Sequence, residues 1–464
     1  MYATVSIVPY FNRSFSRNGK RYLGSLSPSE AGRRAREYLL KEISHRDGKE
    51  VNMTHLNTLL SHAGIDTSAS SNAPMAPSLH LESTYTRPPS GEYFNEQDGG
   101  KGMIYARMGN PTRSLLERTI SQLEVLGKDD VRAASTSAFS SGMAGIGAVI
   151  MAMPRPLHII LPDDIYHGVP TQLKTVFDED RGISSSPIDM TNVFSLENEI
   201  ENQMGDDKNI LIWMETPSNP LCKVIDIQST CSLAQKFQNN GKMIATVVDS
   251  TWAPPTLTQP LMLGSDIVLH SGTKYLGGHS DVLLGVVTSS PFTQNGQQLG
   301  ESIRQIQVAL GATASPLDCW LTLRGLRTLH LRVERQCQTA MAVAKFLSCH
   351  PLVIKTHYPG LKSHPQHSIA ARQMKNKQFG GMLSFELKDE VMATAVAGAV
   401  DVIHRATSLG GTETLIEHRA SMEPEDRKVS PGGLLRVSIG LEDADDLIKD
   451  LDRALRIAAK VVGN

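Results

Sequence analysis

The chain has 464 residues, of which 40% are hydrophobic and 20% charged, a composition typical of a soluble globular protein with two or more domains. A formal net charge of −2 gives no indication of a nucleic-acid or membrane partner, and no apolar run is long enough to span a bilayer. Five scattered cysteines without a Cys-x-x-Cys pair argue against a disulfide framework and against a metal site.

The N-terminal segment, residues 1–52, is predicted to be a leader or a disordered tail. Its first 29 residues contain no acidic residue, but they contain four basic residues and several serines. Such a composition is typical of an organellar transit peptide and equally of a disordered tail. The sequence therefore predicts a cytoplasmic protein, or an organellar one if residues 1–50 act as a transit peptide. Residues 29–44 predict a short charged helix.

Residues 53–110 predict an extended arm, because Ser, Pro, Gly and Asn are frequent there and apolar positions show little periodicity. A helix is predicted to follow, with Thr112 as its N-cap and leucines at helical spacing behind it.

Residues 111–310 alternate between strands and helices and predict a large α/β domain with a mostly parallel sheet. Short apolar runs bounded by Gly, Pro, Ser or Asp are typical of buried parallel strands. They lie at residues 157–161, 210–214, 243–248, 266–269 and 283–288. The helical stretches between them include residues 196–204 and 230–238.

Residues 311–464 predict a smaller C-terminal α+β domain. A long helix is predicted from Pro316 to beyond Phe346. Strands at 380–387 and 434–439, a helix at 391–402 and a last helix from Ala444 follow, and the last helix has one apolar face.

Lys274 is the most informative residue of the chain. It ends the motif Ser271-Gly272-Thr273-Lys274, directly after the apolar run at 266–270. A lysine presented in this way is typical of an enzyme that uses pyridoxal phosphate (PLP): the strand fixes the backbone, the hydroxyls bind phosphate, and a dry site lets the amine lose its charge and attack an aldehyde. An exposed lysine in a Gly-rich turn is the alternative, and the surrounding elements decide between the two.

Asp249 is a candidate partner for the pyridine nitrogen of PLP. It ends the apolar run 244–248, twenty-five residues before Lys274. A carboxylate at the end of a buried strand is costly unless it is paired, and a protonated ring nitrogen is a suitable partner. The alternative is an aspartate that caps the following turn.

Gly142 and Met143 open a run of small residues behind Ser141 and predict a helix N-terminus. Exposed amides and the positive end of the helix dipole make such a terminus an anion site. Together with Ser271 and Thr273 it would form a phosphate cradle. The alternative is close packing of a helix on a sheet.

Tyr166 follows the predicted strand at 157–161, where a tyrosine can stack on a bound ring. Ordinary packing is the alternative for a single tyrosine in this position.

The ordered motifs resemble those of the Cys/Met-metabolism family of PLP-dependent enzymes over residues 54–458. Seven segments carry the resemblance: Tyr-Ala-Arg-Met-Gly-Asn-Pro-Thr (105–112), Ser-Gly-Met (141–143), Glu-Thr-Pro-Ser-Asn-Pro (215–220), Asp-Ser-Thr (249–251), Ser-Gly-Thr-Lys-Tyr with Gly-His-Ser-Asp (271–281), Leu-Arg-Gly-Leu-Arg-Thr-Leu (323–329) and Ser-Leu-Gly-Gly (408–411). The resemblance implies the fold type I of PLP enzymes, whose large domain has a mostly parallel, seven-stranded sheet and which adds a smaller α+β C-terminal domain. It also implies a homotetramer built from two catalytic dimers.

The resemblance also implies a role for each candidate residue. Lys274 would hold PLP covalently, Asp249 would bind the ring nitrogen, and Gly142, Met143, Ser271 and Thr273 would hold the phosphate. Tyr105 and Arg107, on the arm, would reach the phosphate of the neighbouring subunit. Tyr166 would stack on the ring and assist proton transfer, and Asn219 would contact the phenolic oxygen. Arg436 would bind the substrate α-carboxylate, with Ser408 nearby.

The activity that the resemblance implies is that of a trans-sulfuration enzyme acting on sulfur amino acids in methionine biosynthesis and cysteine metabolism. We expect a C–S lyase that cleaves cystathionine after Lys274, displaced by the substrate amine, removes the α-proton. The absence of a cysteine near Val169 makes methionine γ-cleavage less favoured. Thr407, where the cystathionine γ-enzymes carry Glu, favours β-cleavage. The alternatives are a γ-replacement transferase that joins cysteine to an O-acylhomoserine, and a PLP-binding relative without turnover.

Overall fold

The computed structural model describes residues 55–65, 75–86, 103–127, 134–177, 182–238, 241–423 and 430–462. All of these residues belong to one unit of the chain, Met53–Ile65 together with Pro74–Asn464. The predicted leader and the helix predicted at residues 29–44 lie outside the described residues. Within the described ranges, no helix is both long enough and apolar enough to cross a membrane.

Helices and strands alternate through most of the described chain. The helices are α1 (Leu56–Ser61), α2 (Pro111–Val125), α3 (Gly142–Ala152), α4 (Gly168–Val176), α5 (Val193–Met204), α6 (Ile227–Phe237), α7 (Gln294–Leu310), α8 (Pro316–Leu326), α9 (Leu329–Cys349), α10 (His367–Gln373), α11 (Glu390–Ala399) and α12 (Ala444–Val462). The strands are β1 (Ser135–Phe139), β2 (Leu157–Pro162), β3 (Ile183–Ile188), β4 (Asn209–Glu215), β5 (Ile244–Asp249), β6 (Ile267–Ser271), β7 (Gly285–Ser289), β8 (Lys355–His357), β9 (Met382–Glu386), β10 (His404–Arg405), β11 (Leu415–His418) and β12 (Leu434–Ser438).

The larger sheet has seven strands among the described residues, in the order β1-β7-β6-β5-β4-β2-β3. Strands β3, β2, β4, β5 and β6 pair in parallel, and β7 runs antiparallel to both of its neighbours. Leu211 and Trp213 of β4 pack into one apolar cluster, whereas Ile210 and Ile212 pack into another. Because successive side chains of a strand point to opposite faces, both faces of this sheet are buried, as the near-continuous apolar runs predict.

The smaller sheet has five strands in the described part, in the order β10-β11-β12-β9-β8. Its pairs are antiparallel except for β10 with β11. Ser384 of β9 donates a hydrogen bond to the carbonyl of Pro220, which follows β4 of the larger sheet, at 2.7 Å. This contact brings the smaller sheet against the carboxyl end of the larger one. The predicted α/β class, with a mostly parallel seven-stranded sheet and a smaller α+β part, is confirmed.

Two local predictions are wrong. The N-cap of α2 is Asn110 and not Thr112, because the Asn110 side chain accepts from the backbone N–H of Thr112 and of Arg113 and Pro111 occupies the first helical position. The long helix predicted from Pro316 is two helices, α8 and α9. The Gly325 carbonyl, in the last turn of α8, accepts from the Thr328 N–H at 3.2 Å and from the Arg332 guanidinium at 2.9 Å. The division of the chain at residues 52, 110 and 310 stays a prediction.

Candidate active site

The site lies at the carboxyl edge of the larger sheet. Strands β4, β5 and β6 are parallel, and their register puts Glu215, Asp249 and Leu269 side by side. A cavity of about 410 Å³ lies there. Ten of the twelve site residues predicted from the sequence line this cavity, so the structure brings most of the predicted constellation together. They are Gly142, Met143, Tyr166, Asn219, Asp249, Ser271, Thr273, Lys274, Ser408 and Arg436.

Lys274 lies three residues beyond β6, in a turn in which its backbone N–H donates to the Ser271 carbonyl at 3.1 Å. Its Nζ donates to the Ser408 hydroxyl at 2.7 Å. Burial, together with the positive charge of Arg436, lowers the pKa of the Lys274 amine from its ordinary value to about 8. About a tenth of this amine is therefore uncharged at pH 7, far more than for an ordinary lysine, and the uncharged form is the one that acts as a nucleophile or a base.

Asp249 ends β5 and is 7% exposed. Its Oδ1 accepts from the Thr251 hydroxyl at 2.6 Å and from the Thr251 N–H at 3.0 Å. Burial raises the pKa of the Asp249 carboxyl, although the two hydrogen bonds from Thr251 act in the opposite direction. Because burial disfavours the charged form of this carboxyl group, a cationic partner such as the protonated nitrogen of a pyridine ring would stabilise it.

An anion site is built where α3 begins. The Ser141 hydroxyl caps this helix by accepting from the Ala144 N–H at 3.1 Å, and this confirms the predicted helix start at Gly142. A Cβ at Gly142 would lie 3.4 Å from the Ser271 side chain, so the helix terminus approaches the end of β6 closely. A phosphate fits such a terminus, because amide N–H groups and a hydroxyl converge on it. The Thr273 hydroxyl accepts from the Leu284 N–H at 2.9 Å and so ties the turn to the segment that precedes β7.

Glu215, at the end of β4, positions two of the predicted residues and was itself missed. Its Oε2 accepts from the Tyr166 N–H at 2.9 Å, and its Oε1 accepts from the Asn219 N–H at 3.0 Å. Burial and the nearby charge of Asp249 raise the pKa of Glu215 well above its ordinary value. The signal that could have revealed it is the one used for Asp249, a carboxyl group at the end of a buried strand.

Arg436 reaches the cavity from β12 of the smaller sheet. Its guanidinium lies 2.5 Å from Oε2 of Glu417, and it donates to the Ser408 carbonyl at 3.1 Å and to Oδ1 of Asn219 at 3.2 Å. Burial lowers the pKa of Arg436 to about 10, against the opposing effect of Glu417, so the group stays charged at neutral pH. A fixed cation therefore lies beside the Lys274 amine.

Tyr105 and Arg107 do not line the cavity of their own chain. Tyr105 is 45% exposed, and the Arg107 guanidinium donates to the carbonyl of Val308 at 2.8 Å, with its Cζ 5.9 Å from the centre of the Tyr105 ring. Both side chains lie on the surface.

An enzyme that uses PLP needs an uncharged lysine amine, an acid for the ring nitrogen and an anion site for the phosphate, and this edge of the sheet has a candidate for each. Fold and cavity thus define the class of PLP-dependent enzymes. The family described as "Cys/Met metabolism PLP-dependent enzyme" matches residues 57–456, and the chain belongs to this family. The predicted family and the predicted cofactor, PLP, are thereby confirmed. The chain is an enzyme, so a relative without turnover is no longer favoured.

Three known proteins illustrate the similarity. The chain is 40% identical over 410 residues to cystathionine beta-lyase of Lactococcus lactis subsp. cremoris (strain MG1363), covering 87% of this chain and 99% of that protein. It is 38% identical over 409 residues to cystathionine gamma-synthase of Mycobacterium leprae, covering 87% and 97%. The crystal structure of cystathionine gamma-lyase from Lactobacillus plantarum complexed with L-serine matches with a TM-score of 0.75 and 34% identity, covering 87% and 99%.

Proposed function

We propose that this enzyme is a C–S lyase that cleaves cystathionine on the β side. One observation carries the direction of cleavage: Thr407, which replaces the Glu of the γ-enzymes, lines the cavity beside Ser408. A hydroxyl at this position carries no charge with which to select a γ-substrate. The beta-lyase of Lactococcus lactis, at 40% identity, supports the same direction.

The proposed roles follow from the geometry. Lys274 would hold the cofactor covalently, Asp249 would bind its ring nitrogen, and Gly142, Met143, Ser271 and Thr273 would hold its phosphate. Asn219 would contact the phenolic oxygen of the ring. When bound, PLP supplies an electron sink that stabilises negative charge at the substrate α-carbon.

Lys274 is the base in this proposal, because its pKa of about 8 lets it accept a proton near neutral pH. The hydrogen bond to Ser408 holds its amine at a defined place in the cavity. Arg436 would bind the substrate α-carboxylate through its fork of donors, and so orient the α-proton toward Lys274.

Burial and the charge of Glu215 raise the pKa of Tyr166, so its phenol stays protonated. Tyr166 would stack on the ring and donate this proton to the departing sulfur.

The assembly is proposed to be a homotetramer of two catalytic dimers. The surface position of Tyr105 and Arg107 supports it, because both would then complete the phosphate site of the neighbouring subunit. The compartment, cytoplasmic or organellar, stays a prediction that depends on residues 1–50, which lie outside the described residues.

A γ-replacement transferase is the second candidate. The gamma-synthase of Mycobacterium leprae, at 38% identity over 87% of this chain, favours it almost as strongly. Such an enzyme would use the same lysine and the same arginine, but would join cysteine to the γ-carbon of an O-acylhomoserine.

A product assay tests the proposal. Incubation with L-cystathionine should release homocysteine and pyruvate, and Lys274→Ala should release neither. Release of cysteine and 2-oxobutyrate would assign γ-cleavage instead. Accumulation of cystathionine from cysteine and an O-acylhomoserine, without cleavage, would assign the transferase.

A further inference from the structure

Arg419 is a charged residue of the cavity to which the roles above give no task. It follows β11 directly, it is 6% exposed, and it lines the same cavity as Lys274 and Arg436. A buried guanidinium is costly unless its donors and its charge are satisfied. The partners of Arg419 therefore show whether protein groups alone stabilise its buried guanidinium.

The described residues accept few hydrogen bonds from the guanidinium of Arg419. Its Nη1 donates to Oε2 of Glu417 at 3.3 Å, and the same oxygen lies closer, at 2.5 Å, to the guanidinium of Arg436. Its Nε is buried and has no hydrogen-bond partner in the part of the chain that the structure describes. A guanidinium has five N–H donors, and one distant, shared oxygen leaves most of that capacity for a ligand.

Glu423 forms an ion pair with Arg419 but does not satisfy its hydrogen-bond donors. Its Oε1 lies 3.9 Å from Nη2 of Arg419, which is beyond hydrogen-bond distance. Both oxygens of Glu423 are engaged by Ser430, Oε1 by the hydroxyl at 2.5 Å and Oε2 by the N–H at 3.0 Å. Arg419 is thus left with an incomplete set of acceptors on the cavity wall.

The position of Arg419 suits a group at the far end of a substrate. Its positive charge acts on Tyr166 and on His167, which line the wall formed after β2, and also on Arg436. Because Arg419 and Arg436 contact the same Glu417 oxygen, the two guanidinium groups are neighbours. A molecule bound to Arg436 by one acid group can therefore present a second one to Arg419.

We propose that Arg419 binds an anionic group at the side-chain end of the amino-acid substrate, so that the enzyme prefers substrates with a second carboxylate over substrates with an uncharged side chain. This inference rests on the proposed function, in which Arg436 takes the α-carboxylate. The planar fork of an arginine pairs with a carboxylate through two parallel hydrogen bonds, which fits the donors that Arg419 leaves open.

Two esters that differ in one carboxylate provide the test. O-succinyl-L-homoserine and O-acetyl-L-homoserine share the amino-acid part, and only the succinyl ester carries a distal acid group. Dissociation constants for both are measured on the holoenzyme from the change in cofactor absorbance. A charge-assisted hydrogen bond predicts that the wild type binds the succinyl ester at least about tenfold more tightly.

Arg419→Gln should reduce this preference to about twofold or less, and Arg419→Lys should retain part of it, because a lysine keeps the charge without the fork. Arg456→Gln is the matched control: this arginine is 72% exposed, pairs with Asp452, and should leave the preference unchanged. Each preference is a ratio within one protein preparation, so a partly destabilised variant still gives a valid comparison. If Arg419→Gln does not fold, the preference for the succinyl ester is compared between Arg419→Lys and the wild type.

Equal affinities of the wild type for the two esters would overturn the inference. An undiminished preference for the succinyl ester in Arg419→Gln would also overturn it. If Arg419→Gln does not fold, an undiminished preference in Arg419→Lys has the same meaning. A wild type that carries PLP on Lys274 and cleaves cystathionine, but shows no preference, contradicts this inference and leaves the proposed function standing. A wild type without PLP on Lys274 contradicts both.

Discussion

The Lys274 amine donates a hydrogen bond of 2.7 Å to the hydroxyl of Ser408, a residue 134 positions further along the chain. Ser408 has a φ of +86°, a left-handed conformation that is costly for any residue other than glycine. Surrounding contacts hold this conformation: the Ser408 carbonyl accepts from Arg436, and the N–H of Gly410 donates to the Ser438 hydroxyl. The segment before β11 is thus fixed against the reactive lysine.

The lowered pKa of Lys274 predicts how the apoprotein takes up PLP. Only the neutral amine attacks an aldehyde, so the uptake rate should rise with pH and reach half of its maximum near pH 8, well below the ordinary lysine value of 10.5. Arg436→Gln should move this midpoint upward, because it removes a positive charge and leaves Glu417 nearby. The rate is followed by the absorbance of the bound cofactor across a pH series.

Arg335→Gln is the control for this series, because Arg335 is 44% exposed and contacts Asp443 outside the cavity. It should leave the midpoint in place. A midpoint near 10.5 in the wild type would mean that the site does not lower the pKa of this amine.

Asp249→Asn should abolish the charge that is proposed to stabilise the ring nitrogen, while covalent attachment at Lys274 persists. We expect turnover of cystathionine to fall by roughly 100-fold or more, the size of effect seen when a preorganised electrostatic partner is removed. The measurement is kcat at saturating substrate, with PLP content determined on the same sample. Asp266→Asn, which changes another buried aspartate outside the cavity, should affect stability more than kcat. Full turnover of Asp249→Asn would remove Asp249 from the proposal.

Gly285→Ala should loosen the phosphate cradle. A Cβ at Gly285 would lie 2.3 Å from the Ser141 carbonyl oxygen and 2.8 Å from the Cα of Gly142, so β7 and the start of α3 must move apart. Such overpacking costs about 1–3 kcal/mol of stability. We expect a lower midpoint of thermal unfolding and faster loss of PLP on dialysis. Gly205→Ala is the control, since a Cβ there meets no atom within 4 Å, and equal behaviour of the two variants would argue against a tight cradle.

Mixing two inactive variants tests whether Tyr105 and Arg107 serve the neighbouring subunit. Arg107→Ala and Lys274→Ala should each be nearly inactive alone. In a mixed dimer, one site combines the lysine of one chain with the arginine of the other, and the second site has neither. Because random refolding of equal amounts makes about half of the dimers mixed, activity should return in about a quarter of all sites. The readout is pyruvate release after the two variants have been unfolded and refolded together. No recovery, with mixed dimers demonstrated, would mean that Arg107 acts within its own chain.

The sequence predicted the parts of the site that depend on local pattern. Lys274, Asp249 and Gly142 each stand at the end of a strand or the start of a helix, and a parallel sheet brings such positions to one edge whatever the loops between them. Their convergence in the cavity therefore follows from topology.

Other parts of the site could not be read from spacing. Arg436 contacts Asn219 across 217 positions, and Arg419 is recognisable only once β11 lies against the cavity. Helix α7 was missed because its sequence is rich in Gln and Gly, and β3 because it is serine-rich and partly exposed at the edge of the sheet. In these elements tertiary packing outweighs local propensity.

The covalent link between Lys274 and PLP is the point from which every other role follows. Reduction of the holoenzyme with borohydride fixes such a link, and peptide mass mapping then locates it. The account predicts one modified peptide, carrying the label on Lys274, and no label in Lys274→Ala. A label on any other lysine, or an unlabelled holoenzyme that still cleaves cystathionine, would contradict it.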